Sequence, residues 1–60
     1  MKLSKIDTMK ALIAEEMKNH PYFYFSFLAC ASIVYDVASK NRLYLSTEQE
    51  RALIDWMMYE

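Results

Sequence analysis

Glycine is absent from the 60-residue sequence, although an average usage of about 7% predicts about four. Glycine is the usual residue where the backbone needs a positive φ, as in tight hairpin turns and in loops that wrap around phosphate. Its absence therefore argues against hairpins, phosphate-binding loops and compact β topologies. Helices joined by short connections are the architecture that this composition favours.

Covalent and metal cross-links are also lacking. The one cysteine, Cys30, excludes an internal disulfide bond, and one cysteine with one histidine argues against structural zinc, which needs four ligands. A domain of this length buries only about 60% of its unfolded surface, so its stability must come from helix packing, self-association or a partner. A lone cysteine fits a reducing compartment, and residues 1–18 contain no apolar run of the secretory type. We therefore expect a cytoplasmic protein.

An excess of either charge is missing as well. Seven basic and eight acidic residues give a net charge of −1, whereas a general nucleic-acid binder usually carries a basic excess. The hydrophobic fraction of 55% and the aromatic fraction of 15% are too high for a disordered chain. We expect a single folded domain over residues 1–60 that has no nucleic-acid partner.

The first helix is predicted over residues 5–18. Ser4 and Asp7 resemble a capping box, although Glu or Gln is the usual second partner. The helix should end at residues 19–21, because Asn tolerates the left-handed conformation and the residue before a proline avoids the α region. Helical spacing places one apolar stripe along this helix, formed by Ile6, Met9, Leu12, Ile13 and Met17 with Leu3 at its edge.

The second helix is predicted over residues 21–40, with Pro21 at its first position. Asp36 and Lys40 are expected to form an ion pair one turn apart. Apolar residues cover about two-thirds of the circumference, far more than a usual stripe, and two short neighbours cannot cover such a face. The centre of the face is Phe23, Phe27, Cys30, Ala31, Val34 and Ala38, and its flanks are Tyr24, Leu28 and Tyr35 on one side and Tyr22, Ile33 and Val37 on the other.

A strand is the alternative for residues 22–27, where Tyr and Phe alternate and strand-forming residues dominate. One face of that strand would present Phe23, Phe25 and Phe27. No turn and no partner strand follow it, so the helix is the preferred interpretation and the strand stays open as the alternative.

A membrane helix is an alternative for the uncharged residues 21–35. A spanning helix needs about 20 apolar residues, and Asp36 interrupts the stretch before that length is reached. Amphipathic helices also flank it on both sides. A buried core helix is therefore the preferred interpretation, and no membrane partner is expected.

The third helix is predicted over residues 47–59. A capping box can form in either of two registers, Ser46 with Gln49 or Thr47 with Glu50. The buried face should contain Leu53, Ile54, Trp56 and Met57, and the apolar residues of the linker 41–45 should fold back onto the bundle. The predicted fold is all-α, a small three-helix bundle with a wide apolar central helix that self-associates.

No residue pattern points to catalysis, a cofactor or a metal. His20 is the one imidazole, and no neighbour in the sequence can orient it as a general base. Cys30 lies on the apolar face without a nearby positive charge, so a packing role is expected. Carboxylates gathered from several helices could hold a metal in a dimer, but the sequence has no Glu-x-x-His pair to support this. We expect a non-enzymatic protein without a cofactor.

The aromatic and methionine content exceeds what a core of this size needs, and Tyr, Trp and Met are enriched at protein interfaces. The predicted function is a small protein-binding module that regulates or inhibits a larger partner by occluding its surface, of the kind phages and mobile elements encode. The acidic third helix would steer the module toward a basic surface. The candidate residues for the interface with the partner or with a second copy are Tyr22, Tyr24, Phe25, Tyr35, Tyr44, Met58 and Tyr59.

Two other functions stay open besides a plain assembly role. In a homo-oligomer, His20, Tyr22 and Tyr24 at a helix start could stack on and hold a nucleotide-like anion with a basic residue from another copy. Alternatively, residues 45–51 resemble the entry to the last helix of a helix-turn-helix DNA-binding regulator. Against the second alternative, residues 43–60 contain one basic and four acidic residues, so their net charge is 1 − 4 = −3.

Overall fold

The computed structural model describes residues 4–59, which form three helices: α1 (Lys5–Met17), α2 (Phe27–Lys40) and α3 (Thr47–Tyr59). No strand occurs among these residues. Each helix contacts both others, and α2 and α3 share the largest contact. The predicted small all-α three-helix bundle is therefore confirmed. Leu3, predicted to lie at the edge of the first stripe, is outside the described residues.

The first helix begins where its capping signal predicts. Ser4 has an extended backbone, and its Oγ accepts a hydrogen bond from the backbone N–H of Asp7 (3.1 Å). After Met17 the chain tightens into turns that bond three residues back, and in one of these the N–H of His20 donates to the carbonyl of Met17 (3.0 Å). The helix thus ends at Met17, four residues before Pro21 and one residue earlier than predicted.

The central helix begins at Phe27, so the prediction that it starts at Pro21 was wrong. Ser26 is the actual cap, since its Oγ accepts a hydrogen bond from the N–H of Ala29 (3.1 Å). A serine caps the first turn better than His20, which would be the cap if Pro21 were the first helical residue. Because the helix is shorter than predicted, the aromatic segment before it is not helical, and its side chains can alternate between the core and the solvent.

The segment Phe23–Ser26 is neither helix nor strand, but it keeps the alternation that the strand alternative recognised. Phe23 packs against the core, and its ring meets that of Phe25 edge to face at 4.9 Å between centroids. Tyr22 and Tyr24 are exposed. No partner strand pairs with this segment among residues 4–59, and the packing of Phe23 anchors it to the core.

The connection from α2 to α3 turns through a left-handed residue, Arg42 (φ 55°). The N–H of Leu43 donates to the carbonyl of Ala38 (2.9 Å), and that of Arg42 donates to the carbonyl of Ser39 (3.2 Å). This is the Schellman pattern, in which glycine is the usual left-handed residue. The absence of glycine therefore did not exclude a positive φ. The turn folds Leu43 and Leu45 back against the core as expected.

Replacing Arg42 with glycine is expected to raise the free energy of unfolding by about 0.5–1 kcal/mol, because glycine has no Cβ to strain the left-handed conformation. The midpoint of thermal unfolding should rise by about 3–6 °C in a domain of this size, as measured by circular dichroism. Arg42→Ala is the matched control, since it removes the charge but keeps the Cβ. A gain in the alanine variant equal to that in the glycine variant contradicts this interpretation.

The third helix uses the first of the two predicted capping registers. The N–H of Gln49 donates to Ser46 Oγ (3.1 Å), and the N–H of Ser46 donates to Gln49 Oε1 (2.9 Å). Two otherwise unpaired backbone donors are satisfied reciprocally, which fixes the start of α3. The observed bounds of α3 agree with the prediction.

The core draws on all three helices and contains no buried polar side chain among residues 4–59. Phe27 was expected at the centre of the apolar face, but its side chain is 45% exposed. It occupies the first position of α2, and its ring lies 5.4 Å from the Arg51 guanidinium. Trp56 is half-buried under the Lys10 ammonium at 5.6 Å. The buried residues are Met9, Ile13, Cys30, Val34, Val37, Ala38, Leu53, Ile54 and Met57.

Candidate protein interface

One flank of α2 is not used by the bundle. Cys30, Val34 and Val37 on one side of the helix are buried in the core. Leu28 and Tyr35 are seven residues apart and therefore share the other side, where Leu28 is 80% exposed and Tyr35 is 72% exposed. The bundle thus covers only part of the wide apolar face predicted from the sequence.

Most of the predicted interface residues lie on the surface. Met58 is the exception, because it is partly buried and packs against the core. The other six leave much of their rings accessible, as an interface requires, and their role in binding stays a prediction. These exposed residues are Tyr22, Tyr24, Phe25, Tyr35, Tyr44 and Tyr59.

The connection between α1 and α2 presents two of these tyrosines. Tyr22 is 97% exposed and Tyr24 also projects into solvent, while Phe23 between them packs inward. Phe25 is half-exposed, and it lines a depression of about 390 Å³ between α1 and α3. Phe23, which packs on the core and against the Phe25 ring, therefore supports the backbone from which the two tyrosines project.

Two more tyrosines line a second depression, of about 280 Å³, which we call the tyrosine groove. The carbonyl of Tyr44 accepts a hydrogen bond from Lys5 Nζ on α1. The α2–α3 connection is therefore fixed both by this bond to α1 and by the Schellman turn. The Tyr44 ring itself remains 86% exposed. The lining residues of the tyrosine groove are Tyr35, Ala38, Ser39, Leu43, Tyr44, Leu45 and Glu50.

A network of surface ion pairs joins the ends of α1 and α2. Glu16 lies 3.3 Å from His20 Nε2 and 3.4 Å from Lys40 Nζ, and Lys40 also pairs with Asp36 at 3.2 Å. The predicted pair of Asp36 and Lys40 is thus confirmed. The hydrogen bond to Asp36, with a further one to Glu16, raises the pKa of the Lys40 ammonium. His20 is therefore placed at a helix junction on the surface.

The first turn of α3 carries two carboxylates, Glu48 and Glu50, without an ion-pair partner among residues 4–59. The nearest ion pair on this helix joins Arg51 and Asp55 (3.4 Å). The positive end of the helix dipole stabilises carboxylates at such positions. Negative charge is therefore available to an incoming group beside the tyrosine groove, which Glu50 lines.

Cys30 behaves as a core residue. Its side chain is fully buried, and burial raises the pKa of the thiol because the charged thiolate is disfavoured away from water. Among residues 4–59 no three His, Cys, Asp or Glu side chains are grouped so that they could hold a metal ion. Within the same range, each helix is too short or too polar to span a bilayer.

Two surface residues of the candidate interface were not predicted as interface residues from the sequence. Leu28 was recognised as part of the wide face but not as an interface residue, although its spacing from Tyr35 could have shown that both share one flank. Glu50 had no such signal, because the tyrosine groove forms only when the α2–α3 connection folds back. The nucleotide alternative placed Tyr22 and Tyr24 at the start of a helix, but neither residue lies in the first turn of a helix.

No known protein family, curated protein or solved structure matches this chain. The surface chemistry of its own residues is therefore the basis for assigning a function.

Proposed function

We propose that this chain is a non-enzymatic protein-binding module that regulates or inhibits a larger protein by covering part of its surface. The observation that supports this most is the set of exposed aromatic rings, of which Tyr22, Tyr24 and Tyr44 are more than four-fifths exposed. A single exposed apolar residue is ordinary on any protein. Several large aromatic rings outside a completed core are typical of binding hot spots.

The module acts by burying its tyrosine rings in the partner's surface, which makes that surface inaccessible. Tyrosine rings bury a large apolar area at a small cost in side-chain entropy, and their hydroxyl groups can remain hydrogen-bonded at the rim of the contact. Glu48 and Glu50, which have no ion-pair partner among residues 4–59, add a negative potential that favours approach to a basic partner and raises the association rate. A bound module of this size then blocks whatever the covered surface does.

Self-association and a cytoplasmic location belong to the same proposal. A second copy is the competing occupant of the Leu28 and Tyr35 flank, and the lone thiol of Cys30 suits a reducing compartment. Light scattering over a dilution series distinguishes a dimer from a monomer that leaves the flank open. An origin in a phage or mobile element rests on no residue and stays a hypothesis.

Replacing four exposed tyrosines with serine is expected to weaken partner binding by at least about tenfold, because rings of this type dominate interface energies. The substitutions are Tyr22→Ser, Tyr24→Ser, Tyr35→Ser and Tyr44→Ser. The wild-type chain is used to capture and identify the partner from the source cells. Titration calorimetry with the purified partner then gives the dissociation constant, and an assay of the partner's own activity tests inhibition.

The control is Ala11→Ser, an exposed change on α1, and circular dichroism verifies that each variant is helical. Equal binding by the wild-type and four-tyrosine chains overturns the proposed interface. Failure of the wild-type chain to hold any partner in stoichiometric amount overturns the proposed function itself.

A further inference from the structure

The tyrosine groove has the size of a side chain rather than of a cofactor. Its volume of about 280 Å³ is slightly smaller than that of small-molecule sites, which run from about 300 to 1,000 Å³. Leu43, Leu45 and Ala38 line it with apolar atoms, so a methylene chain can lie along it without losing a hydrogen bond. Long side chains with an apolar stem and a polar head match this lining.

The charge of the tyrosine groove indicates which polar head group a bound side chain should carry. Glu50 is its one ionisable acid, and this carboxylate has no ion-pair partner among residues 4–59. By contrast, four other carboxylates among residues 4–59 lie between 3.0 and 3.4 Å from a basic group. Those four are Glu15, Glu16, Asp36 and Asp55. The groove therefore combines apolar walls with an uncompensated negative group.

The tyrosine rings favour the same kind of head group. A cation within about 6 Å of an aromatic centroid is attracted by the ring quadrupole, and the chain uses this contact in two other places. Lys10 lies over Trp56 at 5.6 Å, and Arg51 lies over Phe27 at 5.4 Å. In the described part of the chain, Tyr35 and Tyr44 have no such cation. Lys5 is nearby, but its ammonium is directed to the Tyr44 carbonyl and does not line the groove.

We propose that the tyrosine groove binds a single arginine or lysine side chain from the partner protein. The stem lies along Leu43 and Leu45, and the cationic head contacts the Tyr35 and Tyr44 rings and pairs with Glu50. Arginine fits better, because its planar guanidinium stacks on rings, donates two parallel hydrogen bonds to a carboxylate and is more weakly hydrated. This inference rests on the proposed function and specifies the partner surface as one that presents an exposed basic residue.

The test uses capped arginine, N-acetyl-arginine amide, titrated into the full chain while the tyrosine ring signals are followed by NMR. Signals of Tyr35 and Tyr44 are expected to shift and saturate with a dissociation constant of about 10 mM, as expected for one small side chain. Capped citrulline has almost the same shape but no charge, so it should bind about fivefold more weakly. Capped lysine should bind more weakly than arginine but better than citrulline.

Two charge variants locate the site. Glu50→Gln is expected to weaken arginine binding about fivefold, whereas Glu48→Gln, with the same charge change in the same helical turn, should alter it less than about twofold. Equal effects of the two variants, equal binding of citrulline and arginine, or equal shifts at Tyr22 and Tyr59 each overturn the groove assignment.

The outcomes also separate this inference from the proposed function. If arginine does not bind but the four-tyrosine variant loses its partner, the module binds a protein by another contact and only the groove assignment fails. If arginine binds in the groove but no partner is held by the chain, the groove assignment survives and the proposed function fails.

Discussion

Replacing Leu53 with alanine is expected to lower the free energy of unfolding by about 3 kcal/mol, because it leaves a cavity in the core. Leu53 is fully buried on α3, the helix that shares the larger contact with α2. Domains gain about 0.05–0.15 kcal/mol of stability per residue, so a chain of this length holds about 3–9 kcal/mol in total. The variant should therefore lose between a third and all of its stability, as measured by urea unfolding followed by circular dichroism.

Leu28→Ala is the matched control for this variant. It removes the same atoms from a side chain that is 80% exposed, so its expected cost is below about 0.5 kcal/mol. Equal losses in the two variants contradict the packing described above. If the stability lost in Leu28→Ala instead grows with protein concentration, a second copy covers the flank of α2.

Two of the three helices were predictable because independent signals coincide at their ends. At α1 and α3 a serine cap precedes an apolar residue pattern of helical period, and both caps form the expected hydrogen bonds. Local hydrogen bonding and core burial therefore favour the same boundaries. Sequence reasoning is most accurate where these two contributions agree.

The start of α2 was not predictable in the same way, because its signals conflict. Pro21 suits a first helical position, while Ser26 suits a cap five residues later. The aromatic residues between them fit a helical face, which was the preferred interpretation, and also an alternating strand. The packing of Phe23 on the core and on Phe25 decides the outcome, and such contacts exist only after the helices have assembled.

The candidate site was predictable in its residue types but not in its geometry. The tyrosines at the edges of the apolar stripes were expected on the surface, and they lie there. The tyrosine groove depends on the left-handed turn at Arg42, which places Tyr44 and Glu50 with Tyr35. The sequence has no glycine to mark that turn. Residues 41–50 therefore could not be assigned to one site from their order alone.

The thiol of Cys30 is expected to react with a disulfide reagent at least about 100-fold more slowly in the native chain than in the chain unfolded in urea. Cys30 is fully buried in the core on α2, so the reagent reaches it only when the bundle opens. The fraction of open molecules follows the free energy of unfolding, and about 3 kcal/mol corresponds to about two powers of ten. Burial also raises the pKa of the thiol in the closed bundle, so the closed form adds almost no reactive thiolate of its own.

Leu53→Ala identifies which opening the reagent detects. If the whole bundle must unfold, the loss of about 3 kcal/mol in this variant should accelerate labelling by about 100-fold, while Leu28→Ala should leave the rate nearly unchanged. Leu53 lies on α3 and Cys30 on α2, so this acceleration means that the two helices open as one cooperative unit. If Leu53→Ala leaves the labelling rate unchanged, α2 detaches from the bundle alone. Fast labelling of the native wild-type chain contradicts the burial of Cys30 altogether.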